Sequence, residues 1–285
     1  MDHTLSAIVA FSDVHLGYDQ ADSDGFLEFI KYLQSRSDLG DVVIVGDLVD
    51  LWRRDVIGLE FELSKYVEEL KILQKTAKVH YVAGNHDAHV TLLKAHNYPF
   101  DPQPSLAIER FGYTTKFLHG HQCELLQNIL GPNTSEILCW TLSDDLGKKK
   151  DRLWEILTSQ GKMKRSKRYA ALGQNVKSKR ALRANIDLLM RPPEYRRRAK
   201  TLGAFPDFLD CVKTKLKFVG EHEFIVFGHT HTPFIDLDKR VANTGSWIKG
   251  MSPPNTYFEF ARWPPQIKSF KGEPLQPRSI LTLKF

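Results

Sequence analysis

Cysteine is scarce and poorly placed for cross-linking. The chain holds three, Cys123, Cys139 and Cys211. An odd number at wide spacing does not make a disulfide framework, and no Cys-x-x-Cys pair offers a structural zinc cluster. Reduced thiols in a cytoplasmic protein are therefore the expectation. Long apolar runs are missing too. The longest early one, Ala7–Phe11, has five residues. A secretory h-region takes about 7–15 and a transmembrane helix about 20. The run leads directly into Ser12-Asp13, with no small-residue cleavage pattern. There is no internal repeat and no low-complexity tract.

What is present is the make-up of a globular protein. The 285 residues are 42% apolar and 26% charged, with 18 Gly and 14 Pro. Disorder, collagen-like structure and a disulfide scaffold all fit poorly. At this length a fold buries about three-quarters of the surface of its extended chain, enough for a substantial core. A single domain spanning 1–285 is expected.

The formal net charge of +6 hides two unlike parts. Residues 148–200 hold 18 of the 40 basic residues but only 4 of the 34 acidic ones, an excess of +14 against −8 for the rest. One basic segment sits in an otherwise acidic protein.

Short runs rich in Val, Ile and Phe read as buried strands: Ala7–Phe11, Val42–Val45, Val79–Ala83, Lys116–Leu118 and Phe224–Phe227. Helical patterns separate the first three. Phe26, Phe29, Ile30 and Leu33 fall at i, i+3, i+4, i+7, and Leu63, Val67, Leu70 and Leu73 nearly repeat this. Strand–helix–strand alternation predicts right-handed crossovers and parallel strands. Later segments are short and divided by turn signals: Phe234–Asp236, Lys239–Asn243, Thr256–Ala261, Ile267–Phe270 and Ile280–Phe285. Hairpins are expected there. The prediction is an α/β core in two parts, the second more antiparallel. Residues 123–223, mostly helical in pattern and broken by Pro192-Pro193, read as an insertion or cap.

Five of the expected strands end in polar residues of unusual type. They are Ser12-Asp13-Val14-His15, Gly46-Asp47-Leu48-Val49-Asp50, Gly84-Asn85-His86-Asp87, His119-Gly120-His121 and Gly228-His229-Thr230-His231. In open α/β sheets ligands bind outside the carboxyl ends of strands. Imidazole, carboxylate and amide oxygen suit Mn²⁺, Fe or Zn²⁺ better than Ca²⁺ or Mg²⁺. In Asp-x-His and His-x-His, alternate residues of an extended segment point the same way and can reach one ion. The candidates outnumber the needs of one tetrahedral ion. Two ions bridged by a carboxylate, a pairing typical of phosphate-ester chemistry, would use them all.

Asp-x-His, Gly-Asp-x-x-Asp, Gly-Asn-His-Asp, a middle His and Gly-His-x-His, in this order, closely resemble the calcineurin-like metallophosphoesterase superfamily. The resemblance covers about residues 7–121 and 224–247. It implies a two-sheet β-sandwich of α/β class flanked by helices. It also implies two divalent metal ions, Mn²⁺ foremost. Asp13, His15 and His231 would hold the first, Asn85, His119 and His229 the second, and Asp47 would bridge them. A metal-bridging hydroxide would then attack the phosphorus. His86 would stabilise the phosphate charge or protonate the leaving oxygen, and Asp87 would orient His86. Asp50 reads as a supporting or turn residue more than a ligand. His121 could face the same ion as His119. Asn243-Thr244-Gly245-Ser246-Trp247 reads as a turn closing the second sheet, with a substrate-side loop as the alternative.

Asp13-Val14-His15-Leu16-Gly17, Gly46-Asp47-Leu48-Val49-Asp50-Leu51-Trp52 and the stretch His119-Gly120-His121-x-Cys123 before a long insertion look like UDP-2,3-diacylglucosamine hydrolases. These cleave a pyrophosphate in a lipid-linked nucleotide sugar beneath a helical cap. His86 and His121 stand where that group has Arg and an Asp-like residue, so the resemblance is to the wider group of relatives. The alternative is a phosphodiesterase, nuclease or phosphatase acting on nucleotides, nucleic acid or phosphoprotein. A scaffold without chemistry would normally have lost a ligand, and all seven positions are filled.

The expected partner is an anionic phosphoester substrate. In the basic insertion, Val176, Leu182, Ile186 and Leu189 form an apolar stripe beside Lys177, Lys179, Arg180 and Arg183. Trp154, Leu153, Ile156 and Leu157 add an apolar patch. A basic amphipathic helix suits an anionic membrane surface, which would make the cytoplasmic protein peripheral to the membrane. Nucleic acid is the weaker rival, and a solvated charged face is the plain alternative.

Overall fold

The computed structural model describes residues 6–52, 56–87, 90, 100–121 and 222–272, without the side chains of 56–62. Apart from His121 these belong to one compact unit, made of Met1–Gly120 and Gly220–Phe285. The basic stretch, the three cysteines, nearly all of the 123–223 insertion and the Ile280–Phe285 strand lie outside the described residues.

The elements are β1 (Ala7–Phe11), α1 (Ser23–Gln34), β2 (Leu39–Val45), α2 (Val56–Leu73), β3 (Lys78–Val82), β4 (Leu106–Arg110), β5 (Tyr113–Phe117), β6 (Glu223–Phe227), β7 (Phe234–Asp236), β8 (Val241–Asn243), β9 (Thr256–Phe260) and β10 (Gln266–Ser269). They form two five-stranded sheets, ordered β10-β9-β1-β2-β3 and β4-β5-β6-β8-β7. This is the expected two-sheet α/β architecture.

Alternation along β1 and β2 explains the layering. Val9, Phe11, Val42 and Ile44 face a cluster with Phe26, Phe29, Ile30 and Leu33 of α1 and Leu63, Tyr66, Leu70 and Leu73 of α2. Ile8, Ala10, Val43 and Val45 face the other way. There they meet Ile108, Phe117, Phe224, Val226, Ile235 and Ala242 of the second sheet. Both faces are buried, which is why these strands read as unbroken apolar runs. Helix α1 starts where the Asp22 carboxylate accepts the Gly25 N–H at 3.2 Å, and Lys31 sits in the last turn, complementing the helix dipole.

The crossovers behave as predicted: β1–β2 and β2–β3 are parallel. The second sheet is less antiparallel than expected. Strand β6 runs parallel to both β5 and β8, and only the outer pairs β4–β5 and β7–β8 are hairpin partners. The β9–β10 hairpin does not extend that sheet. It returns to the first one, where β9 lies antiparallel to β1. Strand β4 was not foreseen, because within LAIER only Ile108 is buried. Its turn to β5 uses Phe111 and Gly112, both at positive φ. That is the geometry a two-residue hairpin needs, without the usual Asn-Gly signal.

Parallel strands put their carboxyl ends on one edge. Strands β1, β2, β3, β5 and β6 all deliver their terminal loops there.

Candidate metal centre

The loops after these strands are backbone-strained. Asp13, His15, Asp47, His229 and His231 all have φ between 52° and 67°. Asp and His tolerate the left-handed region better than most residues, yet such positions cost of order 1 kcal/mol or more each and persist only where the surroundings enforce them. Glycine makes the crowding possible. A Cβ on Gly84 would lie 2.1 Å from Asp47 Oδ1, and one on Gly228 would lie 2.5 Å from Asp13 Oδ2.

The result is a buried floor with a half-open rim. Asp13, His15, Asp47, Asn85 and His119 are buried, whereas His86, His229 and His231 are partly buried. Asp13, His15 and His231 bring ligand atoms within 4.8 Å of one another, as do Asp47, His119 and His229. In the first group, His15 Nε2 and His231 Nε2 stand 3.3 Å apart. Both face Asp13 Oδ1, at 3.8 and 3.2 Å. That oxygen is buried and accepts no hydrogen bond. In the second, His119 Nε2 lies 3.0 Å from Asp47 Oδ2 and 3.1 Å from Asn85 Oδ1. Asp47 Oδ2 also lies 3.9 Å from His15 Nε2, so this one carboxylate faces both groups.

Outer contacts fix the rings. His119 Nδ1 is 2.8 Å from the Val45 carbonyl, leaving Nε2 for the site. His15 Nδ1 is held by Asp50 Oδ2 at 3.1 Å, and the other Asp50 oxygen is 3.2 Å from His86 Nδ1. Asp50 thus contacts two imidazoles, and the ligand atoms of His15, Asp50 and His86 form a third group within 4.8 Å of one another. The carboxylate on His86 is Asp50, where Asp87 had been expected. The Asp87 oxygens accept instead from Leu48 N (2.8 Å), Gly84 N (2.7 Å) and Tyr81 OH. Asp87 shapes the loop that carries Asn85 and His86.

Electrostatics follow from burial and proximity. Burial opposes charge on Asp13, but His231 and His119 outweigh it and bring the carboxyl down to about 2. Burial likewise opposes charge on Asp47, and His119 and His86 hold it well below the ordinary range. Burial disfavours a charged His119, but Asp47 and Asp13 push it up to about 10. Burial and the neighbouring Asp47 charge raise Asp87 to about 6. Protons on the imidazoles and divalent cations are alternative ways to balance these carboxylates, because a ligating histidine must be neutral. A buried carboxylate oxygen without a donor, ringed by imidazole nitrogens, fits a cation.

The end of β8 and the segment after it brace this centre. Asn243 Nδ2 donates to the Gly228 carbonyl at 2.7 Å, and Ser246 Oγ donates to the Asp13 carbonyl at 3.1 Å. Ser12 Oγ contacts Asp13 and lies 2.5 Å from Thr244 Oγ1. So the Asn243–Trp247 stretch does more than close a sheet. Two clefts of about 230 and 350 Å³ share Gly17, two residues beyond His15. Tyr18, Ser23 and Lys249 line the first, Ser23, Lys65 and Tyr66 the second, and neither is lined by a candidate ligand. Nothing in the local sequence signalled them.

A family model described as calcineurin-like phosphoesterase matches residues 6–233. No curated protein matches the chain significantly. Similar solved structures include a dimetal phosphatase from Danio rerio, 14% identical over 95% of this chain and 98% of that one, with a TM-score of 0.49. A cold-active protein-tyrosine phosphatase of a psychrophilic Shewanella is 17% identical over 95% and 81%, with a TM-score of 0.42. Vps29 from Entamoeba histolytica is 13% identical over 89% and 84%, with a TM-score of 0.38. Likeness at this level carries no inference about activity. Among the described residues, no helix is long and apolar enough to cross a membrane.

Proposed function

The chain belongs to the calcineurin-like phosphoesterase family, and from that premise we propose that it hydrolyses a phosphoester or pyrophosphate bond with two divalent cations. The observation that carries this reading is a buried carboxylate oxygen without a hydrogen bond: Asp13 Oδ1 faces two imidazole nitrogens. Asp13, His15 and His231 hold one cation, Asn85, His119 and His229 the other, and Asp47 serves both. When bound, the ions supply an activated water and electrophilic stabilisation of the phosphoryl oxygens, with Mn²⁺ the first metal to try.

The protein's own part is positioning and proton handling. The strained loops hold the ligands before metal arrives, so little reorganisation is needed at reaction. Asp50 accepts from His86 Nδ1–H, so an imidazolium His86 can give its Nε2 proton to the leaving oxygen, or hold it against the charged phosphate, and become neutral when the proton has left. For substrate we propose a lipid-linked nucleotide such as UDP-2,3-diacylglucosamine, on the motif resemblance and the basic insertion. The insertion then rests against an anionic membrane surface and makes the protein peripheral to it.

The test is a metal-reconstituted panel of bis-p-nitrophenyl phosphate, p-nitrophenyl phosphate, UDP-sugar pyrophosphates, a lipid-linked nucleotide and single-stranded DNA. Turnover with Mn²⁺, highest on the lipid-linked nucleotide, is expected. Preference for DNA or the monoester would replace the substrate assignment, and silence on all would end the enzyme reading. His86→Ala should lower turnover by about 10²–10⁴-fold with metal retained; an unaltered rate removes His86 from the reaction. Liposome sedimentation with anionic and neutral lipids tests the membrane contact, and absence of binding to both counts against it.

A further inference from the structure

We propose that Trp52 is a positioning residue for the reaction, setting the plane of the His86 imidazole. The proposal rests on the reading that His86 serves phosphoester hydrolysis. The Trp52 indole is fully buried and lies over the His86 ring, with centroids 3.8 Å apart and planes 28° apart. Asp50 Oδ1 holds Nδ1 of the same ring at 3.2 Å. His15 meets it edge-on at 4.7 Å and 86°. The His86 backbone is tied as well, its N–H donating to Asp47 Oδ1 at 2.8 Å and its carbonyl accepting from Leu51 N at 3.2 Å.

Each contact removes a different freedom. One hydrogen bond to Nδ1 fixes where the ring sits but lets it pivot about that bond. A flat partner stacked on the face stops the pivot, and a perpendicular ring limits sliding. The direction of Nε2 is then set, and that direction decides whether a proton reaches the leaving oxygen. The His86 side chain keeps only 12% exposure, so the ring is largely enclosed and still reaches solvent. Asp50 and Trp52 are two residues apart, so the loop after β2 supplies both the hydrogen bond and the stacking surface. A burial role alone does not require an aromatic ring stacked 3.8 Å from His86.

The experiment compares Trp52→Leu, which removes the flat face, with Trp52→Phe, which keeps one. With Mn²⁺ and bis-p-nitrophenyl phosphate, Trp52→Leu should lose about 10–100-fold in kcat with KM changed less than about twofold, as expected for a misaimed group. Trp52→Phe should stay within about threefold. Metal content should be unchanged in both. Without catalysis, carbethoxylation of His86 by diethyl pyrocarbonate, mapped by peptide mass spectrometry, should be slow in the wild type and in Trp52→Phe and faster in Trp52→Leu. Wild-type kcat and unchanged His86 reactivity in Trp52→Leu would overturn the proposal, as would loss of metal along with activity. If the wild type hydrolyses no phosphoester, the functional reading falls and the His86 reactivity still decides the clamp. If Trp52→Leu does not fold, the wild-type protein decides. The His86 ring signals, identified by their loss in His86→Gln, should be displaced upfield by the indole, and ordinary positions would overturn the proposal.

Discussion

Asp41 near the start of β2 and Asp47 just past its end are both buried beside histidines. Asp41 lies 2.8 Å from His80 Nε2 and takes the Arg110 guanidinium from the end of β4 at 2.5 Å. Burial pushes the Asp41 carboxyl up, and His80 and Arg110 outweigh it and hold it below the ordinary range. Each carboxylate oxygen has a donor, and none of the three residues is at positive φ. At the other end, Asp13 and Asp47 are paired with histidines, and among the described residues no lysine or arginine joins them. Their loops are strained, and Asp13 Oδ1 has no hydrogen bond. The same residue types thus make a closed pair completed by Arg110 at one end and a cluster of carboxylates and imidazoles alone at the other. The guanidinium partner and backbone strain separate them, not the presence of Asp and His.

The largest expected effect breaks the carboxyl end alone. Asp47→Asn should lower turnover by about 10²–10³-fold or more, and elemental analysis should show both metals reduced together. Loss of only one would show that Asp47 is not shared. Asp41→Asn should leave turnover near wild type.

Next comes crowding without any change of charge. Gly84→Ala drives a Cβ into Asp47, 2.1 Å from Oδ1 and 2.5 Å from the backbone nitrogen. A drop of about 10²-fold is expected for a displaced ligand. A Cβ on Gly112, at φ 76°, would meet nothing within 4 Å, and Gly112→Ala should keep full activity. Equal rates in the two variants would refute the role given to the tight approach.

Metal should stabilise one end and not the other. Mn²⁺ at about 100 times its Kd should add about 2.7 kcal/mol to unfolding stability, reversed by chelator. Scanning calorimetry should find that Asp41→Asn keeps this increment and Asp47→Asn loses it.

The smallest effect belongs to the closed pair. Removing the Asp41 charge should cost about 1–3 kcal/mol, because Arg110 is left without its partner. The native Asp41 carboxyl is depressed, so its contribution is present above its unfolded value of about 3.9 and lost as pH falls through the native one. Urea midpoints from pH 5 down to pH 3 should fall less steeply in Asp41→Asn than in the wild type.

Much of the candidate centre was legible before the fold was seen. Asp13, His15, Asp47, Asn85, His119, His229 and His231 announce themselves because each follows an apolar run at a strand's end, and parallel strands end on one edge. The supporting residues were harder. Asp50 and Trp52 act on His86 from another loop, and nothing in the spacing from 50 to 86 says so. Asp87 adjoins His86 in sequence, yet its carboxylate turns to Leu48, Gly84 and Tyr81. The β9–β10 hairpin could have extended the nearer sheet. It joins β1 instead, and Phe258 and Phe260 still reach the inter-sheet core from there.

The sequence by itself determined the α/β class, the parallel strands and the set of metal-type residues, since these depend on local periodicity and on which end of a strand a residue follows. The tertiary structure decided which carboxylate meets which imidazole, which strands complete each sheet, and that one end of β2 is balanced by Arg110 while the other is not. Those choices depend on contacts between segments far apart in the chain, where side-chain direction and local charge balance select the partner and sequence spacing carries no information about either.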